Sequence, residues 1–189
     1  MIKNLVFRKV APKVATPQDM STLESQLGIK LPPTFHEFCF RWNGGFPSKE
    51  NQHYLVPSSF TEFYEKYTFG KEMEGVGVGI DNFLGATEEF EQCSLMKKYH
   101  LCCEGARMYG KAKLDYIPIA KNLTGDMVVL RADSPFQMVY WVGDVFEMPE
   151  GIEWGTTPGN SEARQALLPI APDLETFYNS LTADPDRDW

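Results

Sequence analysis

Between residues 16 and 46, apolar positions recur at helical spacing in two separate runs. The first run follows Thr16, whose side chain can cap a first turn, and ends at Gly28, which adopts a left-handed conformation more readily than other residues. Its apolar members are Met20, Leu23 and Leu27. We therefore predict a first helix over about 17–27.

A second helix is predicted from about Thr34 to the break at Asn43-Gly44-Gly45. The residue before a proline is pushed out of the helical region, so Pro32-Pro33 forces an extended elbow between the two helices. The apolar stripe of the second helix is mostly aromatic and consists of Phe35, Phe38, Cys39 and Trp42. We expect this stripe to be buried and structural.

Alternating and β-branched residues predict strands in the rest of the chain. The predicted strands are Tyr54–Pro57, Gly75–Ile80, Leu114–Ala120, Met127–Ala132 and Gln137–Val142. Further helices are predicted at Ser59–Tyr67, Thr87–Cys103 and Asp173–Leu181. Short polar turns separate the last three strands, which predicts an antiparallel meander. The predicted fold class is α+β, with a mixed or mainly antiparallel sheet and helices packed around it.

Three parts of the chain carry weaker patterns. Residues 1–15 can form a short strand or an arm over the core, and we expect this arm to fray. Residues 146–169 hold several prolines, glycines and acids, which predicts an excursion over the surface. The polar tail at about 182–189 is also expected to fray.

The segment LESQLGIKLPPTFHEFCFRWNGG, residues 23–45, resembles the opening signature of the SUKH superfamily, also called the Smi/Knr domain. Two later segments are similar to strands and to the closing helix of that family: YIPIAKNLTGDMVVLRADSPFQMVYWVGD at 116–144 and LETFYNSL at 174–181. The resemblance covers most of the chain and implies a single domain over residues 1–189. The 146–169 tract and a cysteine-rich helix depart from the family pattern.

The resemblance implies a non-enzymatic protein-binding domain. Bacterial members of the family are immunity proteins that bind and neutralise toxin domains, often nucleases, of contact-dependent or polymorphic toxin systems. An alternative that the resemblance also implies is a regulatory scaffold similar to the fungal members linked to cell-wall assembly. A third class would be an enzyme acting on a small molecule. A scaffold would be favoured by disordered flanks and a larger chain. Because nearly all of this chain belongs to the one domain, the immunity role is favoured over the scaffold.

The net charge of −8 lies entirely in the last quarter of the chain. Residues 1–143 carry 16 acidic and 16 basic side chains, whereas residues 144–189 carry 10 acidic and 2 basic ones. Such a surface repels nucleic acid and anionic membranes and favours a basic partner. We predict that a basic cognate toxin domain binds the acids Asp144, Glu147, Glu150 and Glu153. The alternative face is the cleft between the sheet and the Asn43-Gly44-Gly45 turn, and the alternative role of the acids is solubility.

With 189 residues and 43% hydrophobic content, the chain can form one sizeable core. No apolar run is long enough for a signal peptide or a membrane helix, so we expect a cytoplasmic protein. Four unevenly spaced cysteines lie mostly in apolar helical patterns: Cys39, Cys93, Cys102 and Cys103. This spacing predicts free, buried thiols.

Motifs for catalysis, cofactor binding and metal binding do not stand out. Zinc ligation by His100 with the cysteines is conceivable, but Cys102 and Cys103 would point about 100° apart on a helix, which favours packing. The alternating glycines of residues 75–80 lack the third glycine of a dinucleotide fingerprint and the Gly-Lys-Ser/Thr of a P-loop. We therefore expect a chain without enzyme activity, cofactor or metal.

Overall fold

A computed structural model describes residues 1–57, 77–108, 116–122, 127–131, 139–142 and 168–183. The helices in these ranges are α1 Pro17–Leu27, α2 Pro33–Arg41, α3 Leu95–Met108 and α4 Leu174–Asn179. The strands are β1 Phe7–Val10, β2 Gly45–Pro47, β3 His53–Leu55, β4 Gly77–Gly79, β5 Asn82–Phe83, β6 Tyr116–Lys121, β7 Met127–Arg131, β8 Val139–Val142, β9 Leu168–Ala171 and β10 Leu181–Thr182. Short 3₁₀ turns occupy Lys49–Asn51 and Glu91–Cys93.

The strands form two antiparallel sheets. The larger sheet has seven strands in the order β1-β2-β5-β6-β7-β8-β9, and the smaller has the order β10-β3-β4. Strands β6 to β8 pair in sequence order, so the predicted meander is confirmed, and β9 extends it by one strand. Together with the helices, these sheets confirm the α+β class.

Helix α1 begins and ends where the sequence predicts. The Thr16 hydroxyl accepts a hydrogen bond from the Asp19 amide at 3.2 Å, and the Asp19 carboxylate accepts one from the Thr16 amide at 2.8 Å. This reciprocal capping box satisfies two amides that the helix leaves unpaired. At the other end Gly28 has φ 71°, and its amide donates to the Glu24 carbonyl at 2.8 Å.

The aromatic stripe of α2 lies in the core, as predicted. Phe35 and Phe38 are 0% exposed and Trp42 is 9% exposed. Phe38 stacks on Tyr178 of α4, with ring centroids 4.9 Å apart and an angle of 4° between the planes. The chain therefore brings its second and last described helices together through one aromatic contact.

The helix predicted at Thr87–Cys103 is wrong at its start, because α3 begins at Leu95. Before it, Gly85 and Ser94 form a parallel bridge, and the Asn82 side-chain amide donates to the Gln92 carbonyl at 2.9 Å. These contacts with Asn82 and Gly85 hold residues 87–94 out of the helical conformation. Helix propensity is a weak preference, and tertiary contacts override it here.

The N-terminal arm, expected to fray, is instead anchored to the core. Ile2 and Leu5 are only 2% and 3% exposed, and residues 7–10 pair with β2 as an edge strand. The Arg41 guanidinium donates to the Ile2 carbonyl at 2.7 Å. Burial of apolar side chains near the terminus is the physical reason that this arm is ordered.

The predicted surface excursion is wrong at its end, because residues 168–169 pair with β8 as the start of strand β9. The rest of that excursion, the helix predicted at Ser59–Tyr67 and the end of the predicted tail (184–189) lie outside the described residues.

Candidate protein-binding surface

The four acids predicted to bind a partner, Asp144, Glu147, Glu150 and Glu153, all lie outside the described residues. Of the acid-rich last quarter, the structure describes residues 168–183, which carry two acids and no Lys or Arg. These acids are Asp173 and Glu175. Both line one crevice.

The crevice lies between the start of α2 and helix α4 and has a volume of about 550 Å³. Its polar lining consists of Thr34, Asp173, Glu175, Thr176, Asn179 and Ser180, and Pro32 and Leu174 complete it. None of the described residues that line it is Lys or Arg. Carboxylates, hydroxyls and an amide at one opening suit donors such as ammonium and guanidinium groups.

Asp173 shapes the crevice by capping α4. Its carboxylate accepts hydrogen bonds from the Thr176 amide at 2.6 Å and from the Thr176 hydroxyl at 3.0 Å. An aspartate at this position satisfies amides that the first turn leaves unpaired. The carboxylate therefore faces the crevice with a fixed orientation, and its remaining lone pairs can accept another donor.

Glu175 already binds an ammonium group. The α-amino group of Met1 lies 2.6 Å from the Glu175 carboxylate, whose side chain is 50% exposed. This hydrogen bond, opposed by some desolvation and supported by the charge of the carboxylate, raises the pKa of the amino group. Next to it, the Asn179 side chain accepts from the Lys3 amide at 2.6 Å. The N-terminal arm therefore borders the crevice.

Behind the crevice, helix α4 packs on buried aromatic rings. Tyr178 is stacked on Phe38, and Phe177 lies 5.0 Å from the ring of Tyr54. Burial, together with the nearby charge of Asp173, raises the pKa of Tyr54 to about 12. These buried rings fix α4 against α2 and the small sheet, so the crevice keeps its shape without a ligand.

Glu24 holds the opposite wall in place, and sequence reasoning missed it. Its carboxylate is buried and accepts hydrogen bonds from the Lys30 ammonium at 2.6 Å and from the Leu31 amide at 2.9 Å, and pairs with the His36 imidazole at 2.9 Å. These contacts fix the elbow that leads into Pro32 and Thr34. Burial alone would raise the pKa of Glu24, but the three hydrogen bonds outweigh it and hold the pKa below its ordinary value.

Glu24→Gln is expected to lower the free energy of unfolding by about 1–3 kcal/mol at neutral pH, because the charged partner of the buried Leu31 amide, the His36 imidazole and the exposed Lys30 ammonium is lost. The carboxylate stabilises the fold above its unfolded pKa of 4.5, and this contribution is lost as the pH falls through the lower folded value. Urea unfolding at pH 7 and at acidic pH measures both effects. The same substitution at the exposed Glu88 is the control. A Glu24→Gln variant as stable as this control at pH 7 would contradict the role of Glu24 in holding the elbow.

The alternative binding face, the cleft at the Asn43-Gly44-Gly45 turn, is closed. Asn43 is 1% exposed, and its side chain accepts from the Ala86 amide at 2.7 Å and donates to the Thr87 hydroxyl at 2.7 Å. A Cβ on Gly44 would lie 2.9 Å from the Gly85 amide nitrogen. The turn therefore packs directly on residues 85–87 and leaves no room for a partner.

The cysteines are free thiols, as predicted. Cys39, Cys93 and Cys103 are buried and Cys102 is half-buried. Burial raises the pKa of the Cys39, Cys93 and Cys102 thiols, which keeps them protonated and poorly nucleophilic. Among the residues with described positions, no group of three His, Cys, Asp or Glu side chains could hold a metal ion. That the whole chain binds no metal stays a prediction.

Residues 14–180 match the SMI1 / KNR4 family (SUKH-1). The chain belongs to this family. The match begins just before α1 and ends just after α4, so both walls of the crevice lie within the SUKH-1 region, whereas β1 precedes it. No curated protein matches the chain at a significant level. Within the described ranges, no helix is long and apolar enough to cross a membrane.

Proposed function

We propose that the chain is a non-enzymatic binding domain that acts in the cytoplasm as an immunity protein, binding and neutralising a cognate toxin domain with a basic surface. The observation that carries the proposal is membership of the SUKH-1 family over residues 14–180. The charge distribution supports it, since the last quarter of the chain holds 10 acids and 2 bases. A toxin that acts on nucleic acid needs a basic surface, which an acidic partner can cover.

The crevice is the part of the proposed binding surface that lies within the described residues. Asp173 caps α4 and Glu175 lies in its first turn, and buried aromatic contacts fix this helix, so both carboxylates are positioned before a partner arrives. Preorganised groups lose less conformational entropy on binding than mobile ones. The acids of residues 144–153 would attract the same basic partner over longer distances.

Protection of a host is the direct test. If a neighbouring gene encodes a toxin domain, a bacterial strain that expresses that domain should grow when the chain is co-expressed and die without it, and the two proteins should co-purify as a complex. Toxicity that persists despite co-expression of folded chain would reject the immunity role. Co-purification of a signalling protein in place of the toxin would favour the regulatory scaffold instead.

Reversing Asp144, Glu147, Glu150 and Glu153 to lysine is expected to slow association with the toxin domain by a factor of about ten or more at low salt. Charges at an interface mainly accelerate encounter, and this effect is screened as salt rises. Stopped-flow association rates over a salt series measure both the rate and its salt slope, which should become flatter.

The matched control reverses four exposed glutamates outside the last quarter: Glu50, Glu88, Glu89 and Glu91. The net charge changes equally in the two variants, so a difference between them reports position rather than total charge. Equal association rates and salt slopes in the two variants would mean that the acids of residues 144–153 serve solubility alone. Thermal unfolding of each variant checks that the fold survives.

A further inference from the structure

Two side chains of α2 bind the backbone of one residue in the N-terminal arm. Glu37 and Arg41 lie one helical turn apart, and their charged groups pair at 3.2 Å. The Ile2 amide donates to the Glu37 carboxylate at 3.0 Å, and the Ile2 carbonyl accepts from the Arg41 guanidinium at 2.7 Å. One ion pair therefore satisfies both polar groups of this residue's backbone, as a neighbouring strand would in a sheet.

A second pair of side chains, on α4, binds the opposite side of the arm. The Asn179 side chain accepts from the Lys3 amide at 2.6 Å and donates to the Met1 carbonyl at 3.4 Å. One turn earlier on the same helix face, the Glu175 carboxylate binds the Met1 amino group. Bonds that alternate between two sides from one residue to the next are the pattern of an extended chain. The four side chains that grip the arm in this way are named the clamp here: Glu37, Arg41, Glu175 and Asn179.

The surroundings of the arm also select side chains. Ile2 is 2% exposed, so the middle residue of the gripped segment fills an apolar site. On one side of it an ammonium group lies 2.6 Å from Glu175, and on the other side the Lys3 ammonium donates to the Leu181 carbonyl. Backbone contacts accept many sequences, whereas these side-chain contacts favour an apolar residue between two cations.

The part of the arm that the clamp grips is short. Leu5 is 3% exposed, and the Val6 amide donates to the Asn51 side chain at 2.8 Å, so the chain is anchored again from this point. Release of residues 1–4 exposes one buried side chain, Ile2, and leaves the pairing of β1 with β2 intact. Openings that expose so little buried surface need less free energy than global unfolding. The clamp can therefore lose its occupant while the fold persists.

We propose that the clamp is a binding site for an extended segment of the proposed toxin, with an apolar residue between two cations, and that residues 1–3 occupy this site in the free protein. The choice of the toxin as the partner rests on the proposed function, because a basic domain would carry such a segment. The arm acts as a tethered competitor with an effective concentration on the order of millimolar. Since Glu175 and Asn179 also line the crevice, a segment that replaces the arm joins the two surfaces into one.

Peptide binding to the full chain tests the site without a toxin. The probe is a peptide that copies residues 1–6, MIKNLV, with a dye at its carboxyl end, and the readout is fluorescence anisotropy. The Ile2→Ser variant removes the apolar anchor of the tethered arm, so the peptide should bind it saturably and at least about tenfold more tightly than the parent chain. A peptide with serine in place of its isoleucine should not bind. No saturable binding to the variant, or equal binding of the two peptides, would overturn the proposal.

Matched variants separate the clamp from general loosening of the arm. Val6→Ser changes a side chain that is 50% exposed in the same arm, and should leave the weak binding of the parent chain unchanged. Asn179→Ala, added to Ile2→Ser, should weaken the peptide about tenfold by removing two hydrogen bonds, whereas Gln18→Ala on α1 should not. Equal affinities for these two double variants would reject the clamp. If Ile2→Ser does not fold, Lys3→Glu loosens the arm in its place, with the same outcomes expected.

The toxin domain then decides the identity of the occupant. It should bind Ile2→Ser about tenfold more tightly than Val6→Ser, and the MIKNLV peptide should compete with it. Equal toxin affinities without competition would reject the toxin as the occupant. Dimers of the parent chain that Ile2→Ser abolishes in sedimentation would also reject it, because the occupant would be the arm of a second copy.

Failure of the clamp and failure of the proposed function are distinguishable. A protected host together with no peptide binding rejects the clamp and leaves the immunity role standing. Peptide binding without protection of the host rejects the immunity role, and with it the toxin as the occupant.

Discussion

Replacing Phe38 with alanine is expected to lower the free energy of unfolding by about 3–5 kcal/mol, the range for removing a large aromatic side chain from a well-packed core. Phe38 is 0% exposed and contacts rings from three other parts of the chain. Its centroid lies 4.9 Å from Tyr178 of α4, 5.5 Å from Phe83 of β5 and 6.4 Å from Phe7 of β1. The cavity left by alanine would be walled by rigid rings that cannot collapse into it.

Phe40→Ala is the matched control for this prediction. Phe40 lies two residues further along α2 and is 39% exposed, so the same chemical change removes little buried surface. Denaturant unfolding of both variants, with slopes compared to the parent, separates loss of packing from loss of helix propensity. A Phe38 variant no less stable than the Phe40 variant would show that the α2–α4 contact contributes little to the core.

The Phe38 contact also links stability to the candidate binding surface. Tyr178 and Glu175 are part of α4, and Asp173 caps it. Because typical domains are stable by only about 5–15 kcal/mol, a loss of this size would raise the population in which α4 separates from α2. We therefore expect the Phe38 variant to bind the proposed toxin partner more weakly, even at temperatures where most molecules remain folded.

The elements that the sequence predicts well are those with local signals. Helix α1 has its cap, its apolar spacing and its terminal glycine within about a dozen residues. The start of α3 could not be predicted in the same way, because Asn82 and Gly85 set it through contacts with residues 92–95. A local sequence pattern indicates only the helix propensity of its own residues. The start of α3 is decided by contacts between separate segments.

The crevice could not be predicted from local sequence patterns either, because its walls come from opposite ends of the chain. Glu24 is a different case, because a signal was present. It follows Met20 by one helical turn and therefore lies on the apolar face of α1. A charged residue at such a position needs partners, and Lys30 and His36 in the following elbow and helix are the donors that the structure supplies.

Gly85→Ala is expected to destabilise the protein by about 3 kcal/mol, the upper part of the usual range for overpacking. A Cβ at this position would lie 2.0 Å from the Asn43 carbonyl oxygen and 2.4 Å from its carbonyl carbon. These are backbone atoms, so no side-chain rotation can make room. Asn43 has φ 52°, and its side chain bonds Ala86, which leaves the turn little freedom to move away.

Gly79→Ala tests the same substitution in open space, because a Cβ there would have no neighbour within 4 Å. Replacing a glycine whose backbone suits alanine commonly stabilises a protein slightly, by reducing the entropy of the unfolded chain. The two variants should therefore change the free energy of unfolding in opposite directions. A Gly85→Ala variant as stable as Gly79→Ala would contradict the close packing of the Asn43-Gly44-Gly45 turn on residues 85–87. The cleft at that turn would then again be a candidate face for the proposed toxin.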